Sequence, residues 1–326
     1  MAESCSENGK DIGNLIGTAF VARDMMQIVD ALREDGLLRY WGFSYGTVLG
    51  ATVAAMFPGR MDKMVLDGVV NSHEYYTGLS IEEVEAADAT FDSFFIGCIA
   101  NPSNCALAQD GSTTEQISQK FYDVLYEFKF FPVAVAGNIV IDYSLIKNVI
   151  IDCIYNPIMW PSLAAALHGL LTADYTQFLE LIWPILAGTL GPSPFPKSGP
   201  EAIDGIRCSD ASFRTNNLTA LYPYINELYT KSTLTGDGPP LAAMTCTQWP
   251  FHANGRYEGN FHVKTKNPIL FIGNIADPIT PLVSAYNMSS GFEQSVVLQH
   301  DEYGVRLKSF STYLINAQSE FPSMLH

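Results

Sequence analysis

The alternation of apolar and polar residues over the first 70 positions predicts helices and strands that follow one another closely. Residues 17–32 carry apolar side chains at helical spacing, which predicts a helix with one buried face. Residues 37–42 are typical of a short buried strand, residues 46–57 of an apolar helix and residues 61–70 of a second strand. A strand, a helix and a strand in succession favour parallel pairing through a right-handed crossover, and therefore an α/β fold.

The region between about residue 71 and residue 268 has a different pattern, in which helices alternate with turns. Apolar periodicity predicts helices at residues 115–131, 161–171, 175–186 and 218–231. This region is rich in aromatic residues, namely Phe91, Phe94, Phe95, Tyr122, Tyr126, Phe128, Trp160, Trp183, Tyr222, Tyr224 and Trp249. Each of them taken singly is best interpreted as part of a helical core. Together they suit a helical cap that lines an apolar substrate cleft.

Strand signals return near the carboxyl end. Residues 267–273 predict a buried strand, residues 282–288 a helix and residues 294–299 a last strand. Asp277 and Pro278 lie in the turn after the first of these strands. Because proline restricts the next backbone dihedral, the carboxylate of Asp277 can be held rigidly at the sheet edge. A turn or helix-cap aspartate is the alternative interpretation.

The chemical signal is the pattern G-x-S-x-G at residues 42–46, which reads GFSYG. A serine hydroxyl is a weak nucleophile, so Ser44 needs a base, an acid that orients the base, and donors for an oxyanion. The motif gains weight when the serine lies on a sharp turn from a strand into a helix, which is the context that the pattern predicts here. A serine in a solvated loop is the alternative.

Composition excludes several classes of partner. The chain has 326 residues, 18 Lys and Arg against 34 Asp and Glu, and a formal net charge of −16. This charge argues against nucleic acid and anionic membrane surfaces as partners. No run of 18 apolar residues is present, so we expect no membrane span. The first residues, MAESCSENGKD, do not form a signal peptide, which favours an intracellular protein for the chain as written.

The cysteines and the glycosylation motifs point instead to a secreted protein. None of the six cysteines forms a C-x-x-C pair, so we expect no zinc site, and no other cofactor is indicated. Cys98 and Cys105 close a short loop and are a plausible disulfide. Asn217 and Asn287 begin N-x-S/T triplets and are candidate glycosylation sites, although such triplets also arise by chance.

The chain resembles the tripeptidyl-aminopeptidase-like branch of the α/β-hydrolase fold, which is related to the proline iminopeptidases. The resemblance rests on WGFSYGTVLGATVAAMFPGRMDKMVLDGVV, on CTQWPF at residues 246–251, and on NPILFIGNIADPITP followed by QSVVLQHDEYG. It implies a mainly parallel sheet with helices on both faces and a large inserted helical cap. It also implies Ser44 as nucleophile, Asp277 as triad acid and the Tyr45 backbone N–H as an oxyanion donor. The family cleaves amino-terminal peptides and is secreted, and its relatives act on other esters and amides.

Three features depart from the family pattern. The family has a histidine after the tyrosine and glycine that follow the last strand, whereas Val305 follows Gly304 here and cannot act as a base. The tail after it, residues 305–326, is dissimilar. Only 43 residues precede Ser44, so we expect the first strands of the fold and the second oxyanion donor to be missing. The predicted domains are therefore residues 1–74 as core with the nucleophile turn, 75–261 as cap, 262–304 as core with the acid, and 305–326 as an atypical tail.

Two histidines are possible substitutes for the missing base. His300 ends the predicted last strand, but strand geometry is expected to direct it away from Ser44, and His326 is the final residue. The other four are interpreted as surface or core histidines.

Three functions remain open from the sequence. The first is a serine hydrolase that transfers an acyl group of a peptide or small acyl substrate to water through Ser44. The second is an impaired remnant or a binding protein that lacks the triad histidine. The third is an esterase or lactonase of small-molecule metabolism. The sequence leaves the substrate and the oligomeric state open.

Overall fold

A computed structural model describes residues 2–108, 111–135, 139–190 and 200–304. Its strands are β1 (Leu38–Ser44), β2 (Met61–Val69), β3 (Val133–Val135), β4 (Ile139–Ile141), β5 (Ile269–Ala276) and β6 (Val296–Tyr303). Its α-helices are α1 (Ala2–Asn8), α2 (Thr18–Leu32), α3 (Tyr45–Met56), α4 (Ser72–Thr77), α5 (Ala87–Ala100), α6 (Thr114–Phe130), α7 (Tyr143–Ile154), α8 (Trp160–Thr172), α9 (Thr176–Leu190), α10 (Pro200–Asp210), α11 (Tyr222–Lys231), α12 (Pro239–Thr247) and α13 (Leu282–Gly291).

The main sheet has the order β1-β2-β5-β6, and all three pairings within it are parallel. The predicted unit of strand, helix and strand is confirmed as β1, α3 and β2. Leu66 of β2 lies opposite Phe271 of β5, so the two side chains share one face of the sheet. Both are buried in a core to which α2, α3 and α13 also contribute. These helices therefore cover this face of the sheet.

The segment between β2 and β5 is mainly helical and has a core of its own. Phe91, Phe94 and Phe95 of α5 pack there against Phe121 of α6 and the apolar faces of α7 and α8. The sequence pattern did not predict α5 or α7, and it did not predict the antiparallel pair β3 and β4. Whether residues 75–261 form a separable cap stays a prediction.

Two disulfides fasten this segment. Cys98 is bonded to Cys105, as the sequence suggested, and Cys208 is bonded to Cys246. Cys5 and Cys153 have free thiols. The second disulfide ties the end of α10 to α12 and packs against Trp249 and Phe251.

Within the described sheet, β1 pairs on one side only, with β2. Trp41 and Phe43 of this edge strand stack on each other with ring centroids 5.6 Å apart. Their exposed fractions are 38% and 45%, which is high for two aromatic residues in a parallel strand. An apolar strand edge of this kind is a template for pairing with another chain.

We expect the protein to associate at tens of micromolar through β1. Phe43→Lys introduces a charge on this edge and should shift the sedimentation velocity profile toward monomer. Phe131→Lys is the control, because it changes a phenylalanine that is 76% exposed outside this sheet. A monomeric wild-type protein, or an equal effect of the two substitutions, would contradict the expectation.

Candidate active site

Ser44 lies on a sharp turn between β1 and α3, which is the local structure predicted for the motif. It is the last residue of the strand, and the helix begins at Tyr45. Its backbone has φ 52° and ψ −122°, and a positive φ is rare for a residue with a side chain. Strained conformations of this kind persist only where surrounding structure holds them, and they concentrate at functional sites.

The first glycine of the motif is required by close packing at this turn. A Cβ added to Gly42 would lie 2.4 Å from the carbonyl oxygen of Gly46 and 2.5 Å from the ring of Tyr40. The Tyr40 hydroxyl donates a hydrogen bond of 2.7 Å to the same carbonyl. The strand can therefore approach the first turn of α3 only if position 42 carries no side chain.

A threonine joins the turn to the neighbouring strand. The Thr47 hydroxyl donates to the carbonyl oxygen of Ser44 at 2.6 Å and accepts from the N–H of Val70 at 3.0 Å. Thr47 is almost fully buried, so water competes little for these bonds. The carbonyl of the strained residue is thereby fixed relative to the end of β2.

Gly42→Ala should destabilise the protein by about 1–3 kcal/mol, because the added methyl group meets backbone atoms that cannot move away cheaply. Urea denaturation measures the change in the free energy of unfolding. Gly59→Ala is the matched control, since an added Cβ there meets no heavy atom within 4 Å. Equal stabilities of the two variants would show that the close approach at Gly42 is not a constraint.

A cavity of about 310 Å³ lies beside Ser44. Much of its wall is apolar, with Val48, Val70, Ile203, Ile206 and Ile279. Charged side chains are present as Glu74, Glu83 and Arg207. A concave, mainly apolar site with a few polar groups is typical of small-molecule or peptide-residue binding.

The aromatic residues singled out from the sequence do not form this wall. Tyr45 and Tyr75 are the aromatic residues among the described lining of the cavity. Phe91, Phe94 and Phe95 instead fill the core of the helical segment. The expectation that the aromatic cluster lines the cleft is therefore wrong. The composition of the segment reflects a second core.

Asp277 follows β5 directly and is fully buried. Its carboxylate accepts hydrogen bonds from the N–H of Ile279 at 3.0 Å and from the N–H of Thr280 at 2.7 Å. It also accepts from the Thr280 hydroxyl at 2.6 Å. Burial raises the pKa of Asp277 to about 6, and these hydrogen bonds oppose the rise.

Ser44 and Asp277 lie at the same edge of the sheet. Ser44 ends β1, Asp277 follows β5, and β2 separates the two strands. Neighbouring strands are about 4.8 Å apart, so the two backbones are separated by about 10 Å. That spacing is suitable for an imidazole between the two side chains. The catalytic roles of both residues stay a prediction.

No histidine in the described part of the chain lines the cavity. His300 lies within β6, and its Nδ1 is 3.0 Å from Oδ1 of Asn274 on β5. The expectation that His300 points away from Ser44 stays a prediction. Val305 and His326 lie outside the described residues.

The role of the Tyr45 backbone N–H as an oxyanion donor stays a prediction. Tyr45 is the first residue of α3, and the first N–H groups of a helix have no acceptor within the helix. The helix dipole also favours negative charge at this end. The backbone N–H of Tyr45, next to the serine, is therefore suited to stabilise an anionic oxygen.

Asp67 is a second buried carboxyl near this edge, and the sequence pattern did not predict it. Asp67 is 5% exposed, and its Oδ2 accepts no hydrogen bond from the described residues. Burial raises the pKa of Asp67 to about 7, a hydrogen bond from the Trp41 side chain lowers it, and the charge of Asp277 raises it. An aspartate among the apolar residues in the second half of strand β2, MVLDGV, was the available signal.

Asp67→Asn should change the pH dependence of stability. The unfolded chain releases this proton near pH 4, whereas the native protein holds it up to about pH 7. Wild-type stability is therefore expected to fall as pH rises through this window, by at most about 1.4 kcal/mol per pH unit from this group. The variant lacks this loss, so its stability relative to wild type should increase between pH 4 and pH 7 and then level off.

Urea denaturation between pH 4 and pH 8 measures this difference. Asp301→Asn is the control, because it removes a carboxylate at the exposed end of β6. A constant difference between Asp67→Asn and wild type across this range would exclude a protonated native Asp67.

The candidate glycosylation sites Asn217 and Asn287 both lie at the surface, and their glycosylation stays a prediction. No group of three His, Cys, Asp or Glu side chains in the described ranges could hold a metal ion. Within the same ranges, no helix is long and apolar enough to cross a membrane.

Comparison with known proteins supports the same fold. Residues 4–105 match the alpha/beta hydrolase fold family, and residues 236–311 match the TAP-like protein family. With the parallel sheet described above, these matches identify the chain as an α/β-hydrolase fold protein. Its carboxy-terminal region is TAP-like.

The individual relatives share low sequence identity with the chain. A protein of Escherichia coli named as a hydrolase, YuaR, is 24% identical over 302 residues, which cover 89% of this chain and 56% of that protein. Tripeptidyl aminopeptidase of Streptomyces lividans is 24% identical over 314 residues, covering 93% and 55%. Serine protease Hip1 of Mycobacterium tuberculosis is 30% identical over 119 residues, covering 36% and 22%. The chain thus spans about half of the length of the first and second of these relatives.

Proposed function

We propose that the protein is a serine hydrolase that acts on peptides or related small acyl compounds through Ser44. In this proposal Ser44 attacks the acyl carbon and the Tyr45 N–H stabilises the oxyanion. Asp277 orients the base, which takes the serine proton and gives it to the amine or alcohol that leaves as the substrate's C–N or C–O bond breaks. Water then attacks the acyl-enzyme, the free acid is released, and the proton of the water returns to Ser44 through the same base. No metal or other cofactor takes part in these steps.

The conformation of Ser44 carries the proposal. Ser44 has a positive φ between a strand and a helix and lies on the wall of a cavity. Such a conformation costs energy, and residues that keep it concentrate at functional sites. The names of the relatives, a serine protease and a tripeptidyl aminopeptidase, favour peptide substrates over other acyl compounds.

A binding protein that retains the cavity is the second candidate. One observation favours it: no histidine of the described residues lies at the cavity. A triad without its base keeps only the rate enhancement of the oxyanion hole and of substrate binding, about 10³–10⁴-fold over water. We therefore expect the chain as given to react slowly with substrates.

Wild-type protein should react slowly with a fluorophosphonate probe, and Ser44→Ala should abolish the reaction. Such a probe modifies only an activated serine, so it reports the nucleophile without a known substrate. Intact-mass spectrometry with peptide mapping measures the extent and the position of labelling. Modification of a different serine, or the absence of labelling in wild type, would reject the proposed function and favour the binding protein.

His300→Gln tests the base in the same experiment. Because the His300 ring contacts Asn274, this variant should be labelled at the wild-type rate. A loss of labelling equal to that of Ser44→Ala would make His300 the base and contradict the placement described above.

A further inference from the structure

A buried carboxylate of the helical segment caps a helix of the sheet layer. Asp210, the last residue of α10, is fully buried. Both of its carboxylate oxygens lie 3.0 Å from the backbone N–H of Thr18, the first residue of α2. Gly17 precedes this helix and offers no side chain as a cap. Asp210 therefore satisfies an N–H that would otherwise lack an acceptor, and its charge suits the helix dipole.

The approach of the two segments is close enough to require a glycine. Gly17 has φ 144°, and a Cβ there would lie 2.7 Å from Oδ1 of Asp210. Asp210 is itself held in place, because Arg256 donates to its carbonyl oxygen at 3.1 Å. The disulfide between Cys208 and Cys246 fixes the same turn of the chain.

The contact continues from Asp210 to the residue after Ser44. The Thr18 hydroxyl donates to Oδ2 of Asp210 at 2.6 Å and lies 2.7 Å from the hydroxyl of Tyr45. A threonine hydroxyl has one hydrogen, which the carboxylate takes, so the Tyr45 hydroxyl must donate to Thr18. Tyr75 also donates to Oδ2 of Asp210, at 3.0 Å. The order of donors is therefore Tyr45 to Thr18 to Asp210.

We propose that Asp210 is a positioning residue that orients the Tyr45 N–H toward the oxyanion by holding the Tyr45 side chain through Thr18. Capping of α2 needs only the hydrogen bond from the backbone N–H of Thr18. The Thr18 hydroxyl makes two further hydrogen bonds, one to Asp210 and one with the Tyr45 hydroxyl, and these connect Asp210 to Tyr45. Tyr45 is 37% exposed on the cavity wall, and its ring also lies 5.9 Å from the ring of Tyr75, which itself donates to Asp210. This inference rests on the proposed function, because it assigns a role in stabilising the oxyanion.

Thr18→Val tests the linkage. This variant keeps the backbone N–H bond to Asp210 and removes the hydroxyl that joins Asp210 to Tyr45. Thr18→Ser restores the hydroxyl and should rescue the variant. Thr90→Val is the matched control, because Thr90 is a buried threonine of α5 whose hydroxyl donates to the carbonyl oxygen of Ala86 at 2.8 Å.

Two measurements test separately whether Thr18 links Asp210 to Tyr45 and whether this link positions the Tyr45 N–H. The first is a double-mutant cycle of Thr18→Val and Tyr45→Phe in urea denaturation, which needs no activity. We expect the two substitutions to be non-additive in the denaturation midpoint. The second is the rate of fluorophosphonate labelling at Ser44. Thr18→Val should lower that rate about tenfold, because the oxyanion donor is misplaced, while Thr18→Ser and Thr90→Val should stay near wild type.

Each other result overturns the proposal. An additive cycle shows that Thr18 and Tyr45 are not linked. A non-additive cycle with equal labelling of Thr18→Val and Thr90→Val shows a linkage that serves stability alone. If wild type is not labelled at Ser44, the proposed function fails and the assigned role falls with it, while the cycle still decides whether the linkage exists.

Discussion

The close approach of β1 to the first turn of α3 is the constraint on which the site depends. Gly42 lies against the backbone of Gly46, and the Tyr40 hydroxyl bonds to the same turn. This contact forces the chain to reverse direction within one residue, and Ser44 is that residue. The strain at Ser44 is therefore maintained by the packing of the strand and the helix on either side of it.

The same edge of the sheet holds carboxyl groups that the fold buries at a cost. Asp277 is compensated by three donors from its own turn, whereas one oxygen of Asp67 receives none from the described residues. Burying a carboxyl without full compensation favours its neutral form. Asp67 and Asp277 lie near the ends of neighbouring strands and differ in the number of donors around them. Buried carboxyls with shifted pKa values cluster at functional sites, so this pair favours a functional site over a purely structural core.

The sequence predicted the local features well because short-range rules determine them. The G-x-S-x-G spacing and the apolar runs on each side were sufficient to predict the strand, the turn and the helix around Ser44. The role of Asp210 could not be predicted, because its partner Thr18 is 192 positions away in the chain. The aromatic residues were misassigned to the cleft for a related reason. The aromatic side chains of Phe91 and Phe128 favour burial, but residue type does not show which of two cores or cavities receives them.

The long-range cap on α2 also has a consequence for how the chain reaches its native state. Helix α2 lacks an acceptor for its first N–H until Asp210 is in place. Strand β2 likewise lacks its neighbour β5 until residues 269–276 have been added to the chain. Contacts of such separation are slow to form, because a long loop must be closed before they stabilise anything. The sheet layer and the helical segment are thus expected to fold as one cooperative unit. During synthesis, the first 70 residues would remain incompletely structured while most of the chain is still being made.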